Sequence, residues 1–190
     1  MEEDSLRQTL ANLGLNTTTI ANRNVVSWRY WGVYLHPGLV RILVDRMIQL
    51  LPDAYTDADY LCPVPRSGLA LGGYLQAALS KPMVTFYWQH HVLHGDPHIK
   101  PDAKVILIDT NVNAGETLER ASARLSRVGA EVLCAVVWVL NDTYPPEIEY
   151  PMKRDFLTEG KLHYLYTVSD LYPHWTDRGQ PPVAVLRTLP

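Results

Sequence analysis

The stretch from Val105 to Val128 constrains the fold of this chain more than any other. Four apolar residues, Val105-Ile-Leu-Ile108, stop at a carboxylate, Asp109. A short polar loop with one glycine, Asn113-Ala-Gly-Glu-Thr117, then leads into a segment with Leu118, Ala121, Leu125 and Val128 along one helical face. The apolar run does not alternate, which suits a strand covered on both faces, as parallel strands in α/β sheets are. The pattern therefore predicts strand, loop and helix, with Asp109 at the carboxyl end of the strand, where open α/β sheets bind ligands. A helix N-terminus offers free N–H groups and the positive end of the helix dipole, and Ala114 and Gly115 let that backbone approach an anion closely. A carboxylate beside a phosphate cradle suits a sugar phosphate, the acid holding hydroxyls and the loop the phosphate. An ordinary strand-to-helix turn would share this local pattern, so the context has to decide.

The same logic recurs earlier in the chain. Residues 59–64 read as the first core strand, followed by Pro65-Arg-Ser-Gly68 and a helix carrying Leu69, Leu71, Tyr74, Leu75 and Ala78. A glycine-bearing turn at a helix N-terminus can present N–H groups to a diphosphate, and Arg66 adds charge. Two anion-ready loops at the ends of two parallel strands are far more specific than either alone.

Together these segments resemble the type I phosphoribosyltransferases, most closely the orotate type. Residues 105–117 are similar to the family's phosphoribosyl-pyrophosphate (PRPP) motif of four hydrophobic residues, two acids and a loop x-(T/A)-G-x-(T/S). Asp109 takes the first acid's place and Thr110 replaces the second. Val64-Pro-Arg-Ser-Gly-Leu69 resembles the family's V-P-R-G-G-L pyrophosphate loop. The resemblance implies an α/β fold with a central parallel β-sheet flanked by helices and a small N-terminal hood. It covers roughly residues 25–170, with the hood over about 1–35 and the core over about 36–170 of a single domain spanning 1–190. It implies a small-molecule substrate, PRPP carried with Mg2+, and a homodimer. The ribose and 5′-phosphate would lie on Asp109, Thr110, Asn113, Ala114, Gly115, Glu116 and Thr117, and the pyrophosphate on Pro65, Arg66, Ser67 and Gly68. The base would meet Tyr30, Trp31 and Trp88. No metal ligand is assigned to the protein beyond Asp109, which can touch the magnesium that PRPP brings.

The segment Trp88 to Gly95 resembles the catalytic loop R-K-E-x-K-x-H-G only at its end, His94-Gly95. Trp88, Gln89, His90 and Val92 stand where the family has R, K, E and K. Cations there neutralise a departing pyrophosphate, which is worth orders of magnitude in rate. His90 and His94, with Asp109, are the catalytic candidates, since a histidine cation is favoured beside phosphate; His91 and Lys100 are further stand-ins. The His90, His91, His94 spacing without supporting carboxylates is a weak metal signal, and an exposed loop without chemistry fits this segment at least as well as a catalytic one. The chain is thus read as a phosphoribosyltransferase acting on a nitrogenous base, with a catalytically impaired PRPP- or nucleotide-binding regulatory module as the alternative. A third reading keeps the donor and changes the acceptor.

Composition agrees with one globular domain: 190 residues, 47% hydrophobic and 19% charged. A net charge of −3 gives no electrostatic case for nucleic-acid binding. No apolar run reaches bilayer length and the acidic start, Met-Glu-Glu-Asp, lacks a signal-peptide core, so a cytoplasmic protein without a membrane partner is expected. Cys62 and Cys134 are too few and too far apart for a zinc framework, and are read as buried thiols.

Elsewhere the pattern predicts a helix over 4–14 capped by Asp4 or Ser5, a loop over 16–24, and an aromatic hairpin or extended segment over 25–35. A strongly amphipathic helix opens at His36-Pro-Gly and ends before Pro52. Further strands are expected at 83–88, 132–140 and 161–166, with loop over 141–160 and an unassigned tail from 172.

Overall fold

The computed structural model describes residues 1–20, 23–51, 57–89, 92–94 and 99–176. Its centre is a four-stranded parallel sheet in the order β3 (Tyr60–Pro63), β6 (Lys104–Val112), β7 (Glu131–Leu140) and β8 (Leu162–Thr167). Before it come α1 (Glu3–Gly14), the antiparallel pair β1 (Leu15–Ile20) and β2 (Arg23–Trp28), the single turn α2 (Trp31–Tyr34), and α3 (Pro37–Leu50). Helix α4 (Ser67–Leu79) follows β3, then the two-stranded hairpin β4 (Tyr87–Gln89) and β5 (Val92–His94). Helices α5 (Glu116–Arg127), α6 (Pro151–Thr158) and α7 (Val168–Leu171) complete the order. Among the described residues, no helix is long and apolar enough to cross a membrane.

The sheet divides two apolar cores. On one side Leu39, Val40, Leu43 and Met47 of α3 and Leu71 and Leu75 of α4 pack with Leu6 and Leu10 of α1, Trp28, and Ile106, Ile108 and Trp138 of the sheet. On the other, Leu118, Ala121 and Leu125 of α5 and Phe156 of α6 pack on Val105, Leu107, Ala135 and Val137. Both faces of the central strands are covered, which is why their sequences run apolar without alternation.

The chain reverses direction across the sheet between β3 and β6. From β3 it passes through α4 on the first face to Met83, which bridges Leu61 on the outer side of β3. It then returns along the second face, where Val84, Phe86 and Ile99 pack, and enters β6 on the inner side. Open sheets bind ligands at such a switch point, beyond the carboxyl ends of the strands. Here those ends are Pro63 of β3 and the last stretch of β6, from Asp109 to Val112.

Several expectations change. Residues 16–20 are strand β1, registered from Leu15 opposite Trp28 to Ile20 opposite Arg23; the run Thr17-Thr-Thr19 is β-branched, and that preference prevails over its polarity. The strand expected at 83–88 is absent from the central sheet apart from the Met83 bridge. Thr85 Oγ1 donates to the Pro63 carbonyl at 3.2 Å, taking a place that a ladder N–H would fill, and Tyr87–Gln89 pairs with Val92–His94 instead. The β6 ladder continues past Asp109 to Val112, so Asp109 lies inside the strand, opposite Val137. The stretch 141–160 contains α6, with Pro151 in its first turn and Gly160 just beyond its end at φ +67°. The cap of α1 is Glu2, with no side-chain bond from Asp4 or Ser5. Cys62 and Cys134 are free and buried.

A polar cluster fastens α1 to the far side of the sheet. Glu3 accepts from Arg46 at 2.5 Å and from the Tyr166 hydroxyl at 3.0 Å, and Arg46 also donates to that hydroxyl at 2.6 Å. Tyr166 is 3% exposed, so this cluster joins the core to the surface. Tyr166→Phe removes the hydroxyl and leaves the ring; it is expected to cost about 1 kcal/mol in a urea unfolding experiment, the worth of a typical hydrogen bond. An unchanged midpoint would show that the cluster adds nothing to stability.

Candidate functional site

Two loops converge at the switch point. Val64 N–H donates to the Ile108 carbonyl at 2.8 Å, extending the β3–β6 pairing by one bond. The chain turns through the cis Pro65–Arg66 peptide into α4. Gly68 sits directly on β6, where a Cβ would fall 2.3 Å from the Ile108 carbonyl oxygen, so only glycine allows the helix start to lie this close. The N–H of Gly68 is donated to Val64 and that of Leu69 to Arg66. The N–H groups of Arg66 and Ser67 have no backbone partner among the described residues.

The second loop leaves β6 at Val112 and enters α5 through Gly115, whose φ of +92° is left-handed. A Cβ on Gly115 would lie 2.7 Å from the Lys153 Cβ. The loop is held from outside by Tyr150, whose N–H donates to the Ala114 carbonyl at 2.8 Å. Glu116 is tied back by Arg120 at 2.5 Å and by the Tyr150 hydroxyl, so its charge at the helix start is already partnered.

Between the loops lies a cavity of about 330 Å³ lined by Ser67, Asp109, Asn111, the run Asn113–Thr117 and Tyr144. Asp109 Oδ1 accepts from the Ser67 hydroxyl and from the Thr110 N–H, the latter at 2.7 Å. Burial pushes the Asp109 carboxyl up to about 7, against the pull of those two hydrogen bonds. The site therefore holds a carboxyl poised between its neutral and charged forms near neutral pH.

The residues singled out from sequence are placed as follows. Ser67, Asp109 and 113–117 are brought together around one cavity, whereas Pro65, Arg66 and Gly68 belong to the turn into α4 and do not line it. Thr110 is fully buried and does not line the cavity; Asn111 does. Alternate residues of a strand face opposite ways, so Asp109 and Asn111 share a side and Thr110 takes the other. Tyr30 and Trp31 stack at 4.4 Å between ring centroids with an interplanar angle of 34°, and Trp31 is 65% exposed. Neither ring lines the cavity, but Tyr34, edge-on to Tyr30, donates its hydroxyl to the Ser67 carbonyl at 3.1 Å. Trp88 and His94 belong to the backbone of β4 and β5, and His90 and His91 lie outside the described residues.

Sequence reasoning missed Tyr144, Asn141 and Lys153. Lys153 is 1% exposed; its ammonium donates to the Asn141 carbonyl at 2.8 Å and pairs with Glu149. Burial lowers its pKa, and the Glu149 carboxylate opposes that shift. The one local signal was a lysine at the inward position of a short helix opened by Pro151.

Comparison with known proteins fits this geometry. No family model matches the sequence, and no curated protein does either. Solved structures do match. A UMP synthase from Leishmania donovani superposes at a TM-score of 0.75 with 17% identity, over 98% of this chain and 42% of that one, so this chain spans less than half of that protein. An orotate phosphoribosyltransferase from Aeropyrum pernix matches at 0.68 with 16% identity, covering 90% of this chain and 96% of its own. The fold is that of the type I phosphoribosyltransferases. An orotate phosphoribosyltransferase from Mycobacterium tuberculosis in complex with inorganic phosphate shares this phosphoribosyltransferase fold at 0.63 and 16% identity, over 89% of this chain and 97% of that one. Within the fold, the cavity sits at the carboxyl ends of β3 and β6.

Proposed function

We propose that the protein binds PRPP with Mg2+ and transfers its phosphoribosyl group to a nitrogenous base, releasing pyrophosphate. The observation that carries this is the meeting of two anion-ready loops at one buried carboxyl, Asp109, through the Ser67 hydroxyl. In this reading the 5′-phosphate lies on 113–117, the pyrophosphate on 65–68 and the ribose hydroxyls at Asp109, with Asn111 beside it. The acceptor nitrogen bonds to the anomeric carbon as the bond to pyrophosphate breaks; the electron pair leaves with pyrophosphate and the acceptor gives up its proton. Asp109 orients the sugar and stabilises its developing positive charge. The same reading assigns the base to Tyr30, Trp31 and Trp88 and the leaving pyrophosphate to His90 and His94; His90 and the side chains of Trp88 and His94 lie outside what the structure describes.

Magnesium fits this site as a companion of the donor. The described residues contain no cluster of three or more His, Cys, Asp or Glu side chains that would hold a metal alone. Mg2+ keeps its waters and commonly binds through one or two carboxylates plus substrate phosphates, which Asp109 and PRPP would supply. When bound, it neutralises charge on the pyrophosphate. A homodimer belongs to the same reading.

A second reading, a PRPP- or nucleotide-binding regulatory module, is favoured by one observation. Among the described residues that line the cavity there is no lysine or arginine, while Asp109 and Glu116 bring two carboxyl groups. Isothermal titration with PRPP and Mg2+ tests the shared donor site. Saturable heat is expected, weakened about tenfold or more in Asp109→Asn, where a charge-assisted contact becomes neutral. No binding at millimolar donor would overturn both readings. A screen of bases for pyrophosphate release then separates the enzyme from the module.

A further inference from the structure

We propose that Asn141 is a positioning residue that sets the polarity of Asn113 in the phosphate cradle; this rests on reading loop 113–117 as a phosphate site. Asn141 is 1% exposed and follows β7 directly, its backbone N–H donating to the Val112 carbonyl at 2.8 Å. The two ends of an asparagine amide have nearly the same shape and opposite hydrogen-bond roles, so only neighbours of fixed polarity can orient it. Asn141 has two such neighbours. The Val26 carbonyl of β2 accepts only, and stands 3.1 Å from Asn141 Nδ2. The Thr143 N–H donates only, and stands 3.2 Å from Asn141 Oδ1, with the Thr143 hydroxyl adding a bond at 3.0 Å.

With its orientation fixed in this way, Asn141 has one N–H left, and it meets Asn113 at 3.2 Å. The atom it meets must be the acceptor, Asn113 Oδ1. The NH2 end of Asn113 is thereby left for the cavity that Asn113 lines. A relay of polarity runs from the backbone of the hood strand through Asn141 to the cradle, and its output is a pair of N–H donors. In a cavity whose described lining holds two carboxyl groups and no cationic side chain, that pair is a side-chain contribution suited to an anion. A reversed Asn113 would instead turn its carbonyl oxygen toward the phosphate and repel it.

Asn141→Asp keeps the shape and removes both donated bonds. Asn113 then turns its NH2 toward the new carboxylate and its oxygen toward the cavity. Titration with ribose 5-phosphate is expected to show about tenfold weaker binding in Asn141→Asp, about the same in Asn113→Ala, and little further loss in the double variant. In the nitrogen-15 spectrum of the wild type, the Asn113 side-chain NH2 pair is expected to shift on titration with inorganic phosphate, a readout that needs no folded variant. If the Asn141→Asp loss persists undiminished in the Asn113→Ala background, the cause is repulsion by the new charge and the proposal falls. It falls equally if the wild type binds phosphate and the Asn113 NH2 signal does not move. A wild type that binds neither probe overturns the phosphate reading itself.

Discussion

Asp109→Asn is expected to melt at a higher temperature than the wild type at pH 8 and at nearly the same temperature at pH 4. Burial raises the Asp109 carboxyl from its ordinary value of 3.8 to about 7, so the folded state holds this proton more tightly than the unfolded chain does. The stability linked to it is complete below about pH 4 and is lost as the pH rises through 7. Asparagine stays neutral throughout and keeps an oxygen that can accept from the Ser67 hydroxyl and the Thr110 N–H. A gain of about 3 kcal/mol at pH 8 is expected, since each tenfold difference in proton affinity between the folded and unfolded states is worth roughly 1.4 kcal/mol, and folded-state relaxation and residual hydration reduce the total. Melting curves of the two proteins at both pH values check it. A variant less stable than the wild type at pH 8 would mean that the charged carboxylate has partners that offset its burial. The same substitution is expected to weaken donor binding, so stability and function would move in opposite directions at one residue.

Lys153→Ala is expected to destabilise the fold by about 3–5 kcal/mol, the usual consequence of leaving one member of a buried ion pair without the other. The Glu149 side chain is 13% exposed and would lose its cation, and the Asn141 carbonyl would lose its donor. Alanine retains the Cβ nearest Gly115, so the loss would not come from the contact beneath the loop. The double variant Glu149→Gln with Lys153→Met removes both charges at similar volume and is expected to recover most of the stability. Urea unfolding of the single and double variants measures this directly. A Lys153→Ala midpoint close to wild type would show that water reaches Glu149 freely once the lysine is gone.

What could be read from sequence was what local physics decides. The apolar run Val105–Ile108, the stripe Leu39, Val40, Leu43, Val44 and Met47, and the glycines at 68 and 115 each announce their role within a few residues, because periodicity and backbone freedom are local properties. The hairpin strand at 15–20 was hidden because threonine and asparagine look like loop when polarity is weighed above β-branching. The strand expected at 83–88 failed for the opposite reason: its residues suit a ladder, but the Thr85 hydroxyl takes a position beside Pro63. At the cavity, similarity to a motif pointed to Thr110, whereas the pleat presents Asn111. Asn141 could not be found at all, since its meaning depends on Val26, 115 positions away, and on Asn113, 28 positions away.

The fastening of α1 bears on how the molecule is made. Glu3 meets Tyr166 across 163 positions, and Asn12 accepts from Thr176 across 164. The first helix meets Trp28 and Arg46 early, but its docking is complete only when almost the whole described chain is present, since contacts so distant in sequence carry the larger loop-closure entropy. During synthesis the sheet pair β3–β6 and α4 between them can form while α1 still lacks its partners on β8 and at Thr176. The aromatic cluster at residues 28–34 meets Trp138 of β7, which lies 6.2 Å from Trp28 and 5.4 Å from Tyr34 between ring centroids, so in a nascent chain it waits uncovered for that strand.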